Sequence, residues 1–113
     1  MNLDIEHSGD VCVLRFSGPL RTGENPDYLS AKLDDIRKLN CRRFLADFRD
    51  VPSIGSSGVN FLMGIYVFVT QISEGRLVLL GARPRVRQVL EITRVSSLIP
   101  MAPDTDAGLA ALE

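Results

Sequence analysis

The chain has 113 residues, a length for one domain with a real hydrophobic core. Its apolar fraction of 45%, charged fraction of 24% and formal net charge of −1 are those of an ordinary globular protein, with no general electrostatic case for binding nucleic acid or an anionic membrane. No apolar run reaches the roughly 18 residues of a membrane span, Met1-Asn2-Leu3-Asp4 lacks the basic and apolar regions of a secretion signal, and Cys12 and Cys41 show no metal or redox spacing, so a cytoplasmic, reduced protein without metal or cofactor is expected.

Leu3 and Ile5 alternate with Asp4 and Glu6, the period of a half-exposed strand. Ser8-Gly9-Asp10 signals a turn, and Val11 to Phe16 supplies the hairpin partner, ended by Gly18-Pro19. Asn25-Pro26-Asp27 starts a helix with Asn as N-cap and Pro in the first helical position. Leu29, Leu33 and Ile36 form its inner face. Arg43 to Phe48 reads as a strand and Arg49 to Ser53 as a loop. A helix is predicted from Ser57 to about Glu74, stopped by Gly75. Arg76 to Leu80 (RLVLL) is a compact buried strand. Pro84 opens a helix whose inner face is Val86, Val89 and Leu90, Leu98 to Met101 forms a short last strand, and Asp104 or Thr105 caps a terminal helix to Leu112. After the first hairpin, strands and helices alternate, which predicts a mostly parallel sheet with crossover helices.

The chemistry concentrates in "IGSSGVNFL", residues 54–62. Ser56 is placed to cap the following helix through its hydroxyl. The same helix N-terminus favours an anion, so a phosphate on Ser56 would be stabilised there and would change the surface by nearly two charges. A nucleophilic serine lacks a partner base, because the only histidine, His7, lies on the first strand, where it reads as an exposed residue. There is no G-x-x-x-x-G-K-[ST] phosphate loop. No catalytic residue is expected, and the chain does not read as an enzyme.

The helix after the serines carries two apolar stripes. Val59, Leu62, Met63, Tyr66, Val69 and Thr70 form one, and Phe61, Ile65, Phe68 and Ile72 the other. Either both are buried between sheet and helices, or one meets another protein. Arg83, Arg85 and Arg87 form the one dense basic cluster, a solvated helix start or a patch for an acidic partner.

Four stretches carry a resemblance: "VLRFSGPL" (13–20), "FLADFRDVPSIGSSGVNFLMGIY" (44–66), "GRLVLLGARPRVRQVLEITRV" (75–95) and "LIP" (98–100). The chain resembles the STAS family, the domain shared by sulfate transporter tails and anti-sigma factor antagonists, and the stand-alone bacterial antagonists most of all. The resemblance covers essentially the whole chain, residues 1–113, as a single STAS domain. It implies an α/β fold with a mixed, mostly parallel sheet of four to five strands and helices packed mainly on one side. It implies a partner, an anti-sigma factor that is also a serine kinase. That partner would phosphorylate Ser56, less readily Ser57, and would release the modified form. The docking surface implied comprises the loop at Gly18 to Gly23 with Arg21, Thr22 and Gly23, the knot Gly55, Ser56, Ser57 and Gly58, and Phe61 on the helix. A homo-oligomer or larger STAS complex is a further expected partner; nucleic acid and direct membrane insertion are not.

Two positions depart from the family pattern. The residue before the serine is Gly55, and the residue after the second strand is Arg21, where the family usually carries acidic side chains. Losing two carboxylates and adding a guanidinium makes the site friendlier to an anion. A non-phosphorylated adaptor or scaffold of a larger assembly, such as a stress-signalling complex or a lipid-transport ATPase, is the alternative that these residues favour.

Overall fold

Residues 2–18 and 26–112 are described in the computed structural model. Alternation builds the first hairpin: β1 (Asn2–Ser8) pairs antiparallel with β2 (Val11–Ser17) around a turn where Gly9 takes a φ of 62°. Leu3 faces the core while Asp4 and Glu6 face solvent. Helix α1 (Pro26–Arg37) begins at the predicted proline and buries Ile36; the expected cap Asn25 lies outside the described residues. Then follow β3 (Arg43–Asp50), α2 (Ser56–Thr70), β4 (Arg76–Leu80), α3 (Pro84–Ile92), a 3-10 turn (Val95–Ser97), β5 (Met101–Ala102) and α4 (Thr105–Leu112). The sheet order is β1-β2-β3-β4-β5, with β2 through β5 parallel. Asp104 caps α4, its Oδ1 accepting from Ala107 N at 2.8 Å.

The sheet alternation divides the core. Phe44, Ala46 and Phe48 of β3, with Leu77 and Leu79 of β4, pack with Leu62, Ile65, Val86 and Leu90 from α2 and α3. Leu45, Val78 and Leu80 point to the other face, which Leu112 of α4 covers. Burial on both faces explains the unbroken apolar run of RLVLL. Among the described residues, three helices thus lie on one face and one on the other, in line with the expected architecture.

Three boundaries shift. β3 extends through Arg49 and Asp50, expected as loop, because Asp50 still pairs with Ser17 and its carbonyl accepts from Gly18 N at 3.0 Å. Helix α2 ends at Thr70 and not near Glu74: Gln71 and Ile72 N–H groups close tight turns on Phe68 and Val69, and Glu74 takes a left-handed φ of 61°. β5 begins at Met101, because Leu98 and Ile99 N–H groups still bond Val95 and pairing with β4 starts only at the Pro100 carbonyl.

Gly75 is needed for close approach. A Cβ there would collide with the Val69 carbonyl and with Ile72. Gly75→Ala is therefore expected to destabilise the fold by roughly 1–3 kcal/mol, the range for overpacking a site that cannot open freely. Urea unfolding checks this, with Gly9→Ala as a comparison whose added methyl meets nothing within 4 Å and whose defect is backbone strain alone.

The expectation of two unlinked, reduced cysteines is corrected. Cys12 on β2 and Cys41, just before β3, form a disulfide across a separation of 29 residues. Their distance in sequence hid this. The parallel β2–β3 pairing sets Cys12 beside Phe44 and so brings the residues leading into β3 to the start of β2. In the loop-entropy account a cross-link closing this span contributes about 3.5 kcal/mol.

Candidate functional site

Because β2 to β5 are parallel, their C-terminal ends share one edge, and α2 and α3 both depart from it. The knot lies there, between β3 and α2. Ile54 and Gly55 are extended, and Gly55 holds the N-cap position with φ −111° and ψ −172°. The expectation that Ser56 caps the helix is corrected: Ser56 is its first residue, one position too late to serve as N-cap, and the Gly55 carbonyl accepts from Val59 N at 3.0 Å. Ser56 is exposed, Ser57 and Gly55 are half-buried and Gly58 is buried. The first turn of α2 contains no acidic side chain. A helix of this length presents N–H groups and partial positive charge at this end, so the exposed Ser56 hydroxyl stands where an added phosphate meets favourable electrostatics.

Phe61 does not reach this surface. It is 5% exposed, and its ring stands edge-on to Phe16 at 6.1 Å, so its expected role in docking is corrected to one in the core. The same holds for the second stripe of α2. Ile65 is fully buried, and Phe68 and Ile72 pack against the core, with Phe68 edge-on to Phe44 at 6.2 Å. Both stripes are used because α2 lies between the sheet on one side and α1 on the other. Arg21, Thr22 and Gly23 lie outside the described residues; Gly18, which leads into them, is held at the end of β3 by its bond to Asp50.

Sequence reasoning missed Asp47. It is 3% exposed, on the α4 face of β3. Its Oδ1 accepts from Arg49 N and Nε at 3.1 Å each, its Oδ2 from Arg49 Nη2 at 2.8 Å, and Arg15 Nε lies 3.5 Å away. Arg15 in turn bonds Glu6 at 2.6 Å. Arg49 then accepts at its carbonyl from Arg83 Nε at 3.0 Å, tying the start of α3 to the end of β3. Gly81, at φ 68°, leaves room for the Arg49 stem, which a Cβ would strike. The available signal was "DFRD" closing an apolar strand: an aspartate on an alternating inward position with an arginine two residues on, the same face of the sheet. Arg83, Arg85 and Arg87 are exposed, as a solvated helix start predicts.

Burial alone would raise the Asp47 carboxyl. The hydrogen bonds and charge of Arg49, with Arg15, outweigh it and hold the group below the usual carboxylate range. The unfolded chain therefore binds this proton more readily than the folded one. The resulting stability is present above the ordinary aspartate value and is lost as pH falls through the lower folded one. Asp47→Asn is expected to lose about 1–3 kcal/mol at neutral pH and to flatten the acid limb of stability against pH, read by urea unfolding from pH 7 to pH 3.

His7 is exposed as expected, but its Nε2 lies 3.2 Å from Cys41 Sγ. No helix among the described residues is long and apolar enough to cross a membrane.

Comparison with known proteins agrees with this geometry. The chain is 22% identical to an anti-sigma F factor antagonist of Paenibacillus polymyxa, over 100% of this chain and 96% of the relative. It is 30% identical to BtrV of Bordetella bronchiseptica, a candidate anti-sigma factor antagonist, over 79% of this chain and 76% of the relative. Both names describe antagonists of an anti-sigma factor. The fold superposes with a TM-score of 0.71 on the Bacillus cell-fate determinant SpoIIAA in its phosphorylated form, at 18% identity and with 99% and 100% of the two chains covered. The STAS domain model matches residues 2–108, and the chain belongs to the STAS family.

Proposed function

We propose that this chain is an anti-sigma factor antagonist of a partner-switching pathway, acting in the cytoplasm. It docks an anti-sigma factor that is also a serine kinase through the edge where β2, β3 and β4 end. Phosphorylation of Ser56, with Ser57 the lesser acceptor, releases it. The observation that carries the reading is the exposed Ser56 at the first position of a 15-residue helix whose first turn has no acidic side chain. The names of the relatives, and a similar fold solved with phosphate attached, support it. The docking residues proposed are Gly55, Ser56, Ser57 and Gly58, with Arg21, Thr22 and Gly23; Phe61 is no longer among them. Gly55 and Arg21 keep the site free of the two usual carboxylates, which favours a bound or attached anion.

The scaffold alternative drew part of its support from a second apolar stripe on α2. Phe61 and Ile65 of that stripe are buried, and Phe68 and Ile72 are partly buried against the core, so this alternative now rests chiefly on Gly55 and Arg21. Phosphopeptide mass spectrometry separates the two, on protein isolated from its native cells under growth and under stress, with Ser56→Ala as control. Phosphate at Ser56 that varies with condition is the expected result. An unmodified protein in a stable complex under every condition would replace the switch by the scaffold.

A further inference from the structure

The edge opposite the knot holds three groups that the docking reading does not use. Cys12 and Cys41 are bonded, His7 Nε2 touches Cys41 Sγ at 3.2 Å, and the reactive atoms of all three lie within 4.8 Å of one another. Since a disulfide sulfur carries no hydrogen, the imidazole N–H is the donor in that contact. Both residues are buried but unequally, Cys12 being 0% exposed and Cys41 6%, so Cys41 is the nearer of the two to solvent. Cys41 stands between Asn40 and Arg42, and both line a cleft of about 850 Å³. Three guanidinium groups, Arg42, Arg43 and Arg76, face two carboxylates there, Asp10 and Glu74. The cleft suits a small anionic reactant better than a cationic one.

We propose that Cys12 and Cys41 are a redox-active pair that exchanges with an anionic low-molecular-weight disulfide, with His7 as proton carrier. In oxidation, the Cys41 thiol passes its proton to His7 and the thiolate attacks one sulfur of the reagent. A Cys41 mixed disulfide forms, and the departing thiolate takes that proton. Cys12 then gives its proton to His7 and attacks Cys41 Sγ. The Cys12–Cys41 bond forms, and the second thiolate leaves and is protonated. One reagent disulfide is reduced to two thiols and the pair loses two electrons. Reduction is the reverse, begun by a small thiolate at Cys41, with His7 protonating the Cys12 sulfur as it departs. Such exchange gives a disulfide a regulatory place in a reducing compartment, where a permanent one is rare. The bond spans residues 12–41, the segment that holds α1, so the redox state sets a tether on that helix.

The test equilibrates the full chain with reduced and oxidised glutathione at graded ratios, then counts thiols by alkylation and mass spectrometry. Both cysteines are expected to change together, the reduced form melting roughly 10–20 °C lower. The Cys12→Ser chain is expected to trap a glutathione adduct at Cys41, and the Cys41→Ser chain to form at least about tenfold less at Cys12. His7→Gln is expected to slow exchange by about tenfold or more while leaving the final ratio unchanged. A folded chain that stays oxidised in excess thiol, or stays reduced in excess disulfide, would overturn the pair. Unchanged exchange in His7→Gln would overturn the role of the imidazole. The wild-type thiol count decides the main point even if a serine variant fails to fold, and it is independent of what Ser56 does.

Discussion

Substitution of Ser56 by aspartate is expected to strengthen the fold and weaken the complex, two effects of opposite sign from one charge. The carboxylate would stand at the first position of α2, where the helix end carries partial positive charge and the first turn holds no acidic side chain. That placement stabilises by about 0.3–1 kcal/mol at low salt, seen as a small rise in the melting midpoint. In the proposed interface, which takes the unmodified hydroxyl, the same charge would have to be desolvated on binding. A loss of about a hundredfold in affinity for the anti-sigma factor is expected, near 2.7 kcal/mol. Calorimetric titration of wild type, Ser56→Ala and Ser56→Asp checks it: the alanine form should bind close to wild type and the aspartate form should not. Equal affinity of all three would remove Ser56 from the interface. Because the fold is stabilised, lost binding in the aspartate form cannot be assigned to unfolding.

Truncation at Phe16 is expected to have the largest effect on the fold. The side chain is fully buried, with its ring 4.8 Å from Phe48 and 6.1 Å from Phe61. It joins the end of β2, the end of β3 and the second turn of α2, the three elements that set the knot. Phe16→Ala removes the shared ring from this trio and opens a cavity among side chains that cannot all close in, for a loss of about 3–5 kcal/mol in urea unfolding. Phe16→Leu keeps most of the volume and should lose less than about half of that. If the alanine form lost under about 1 kcal/mol, the trio would not be holding the start of α2.

Much of the fold was legible because its signals are local. Alternation at Leu3 and Ile5, proline opening α1 and α3, and the apolar run Arg76–Leu80 each reflect steric or solvation preferences acting within a few residues. They placed the strands and helices in order, and the family motifs placed Ser56 at the start of α2. The boundaries that moved were those decided by partners elsewhere. Asp50 remains in β3 because Ser17 and Gly18 bond to it, and β5 starts where β4 can pair with it.

The sequence by itself determined the element order and the mixed sheet and singled out Ser56, since each follows from local periodicity or a contiguous motif. Only the tertiary structure decided what lies across the chain from what. It set Cys12 against Cys41 and both beside His7, buried Asp47 between Arg15 and Arg49, and packed the apolar residues of both stripes of α2 in or against the core. These contacts depend on strand register and on which helix covers which face. Those in turn are set by the packing of the whole sheet, which no short window of residues contains.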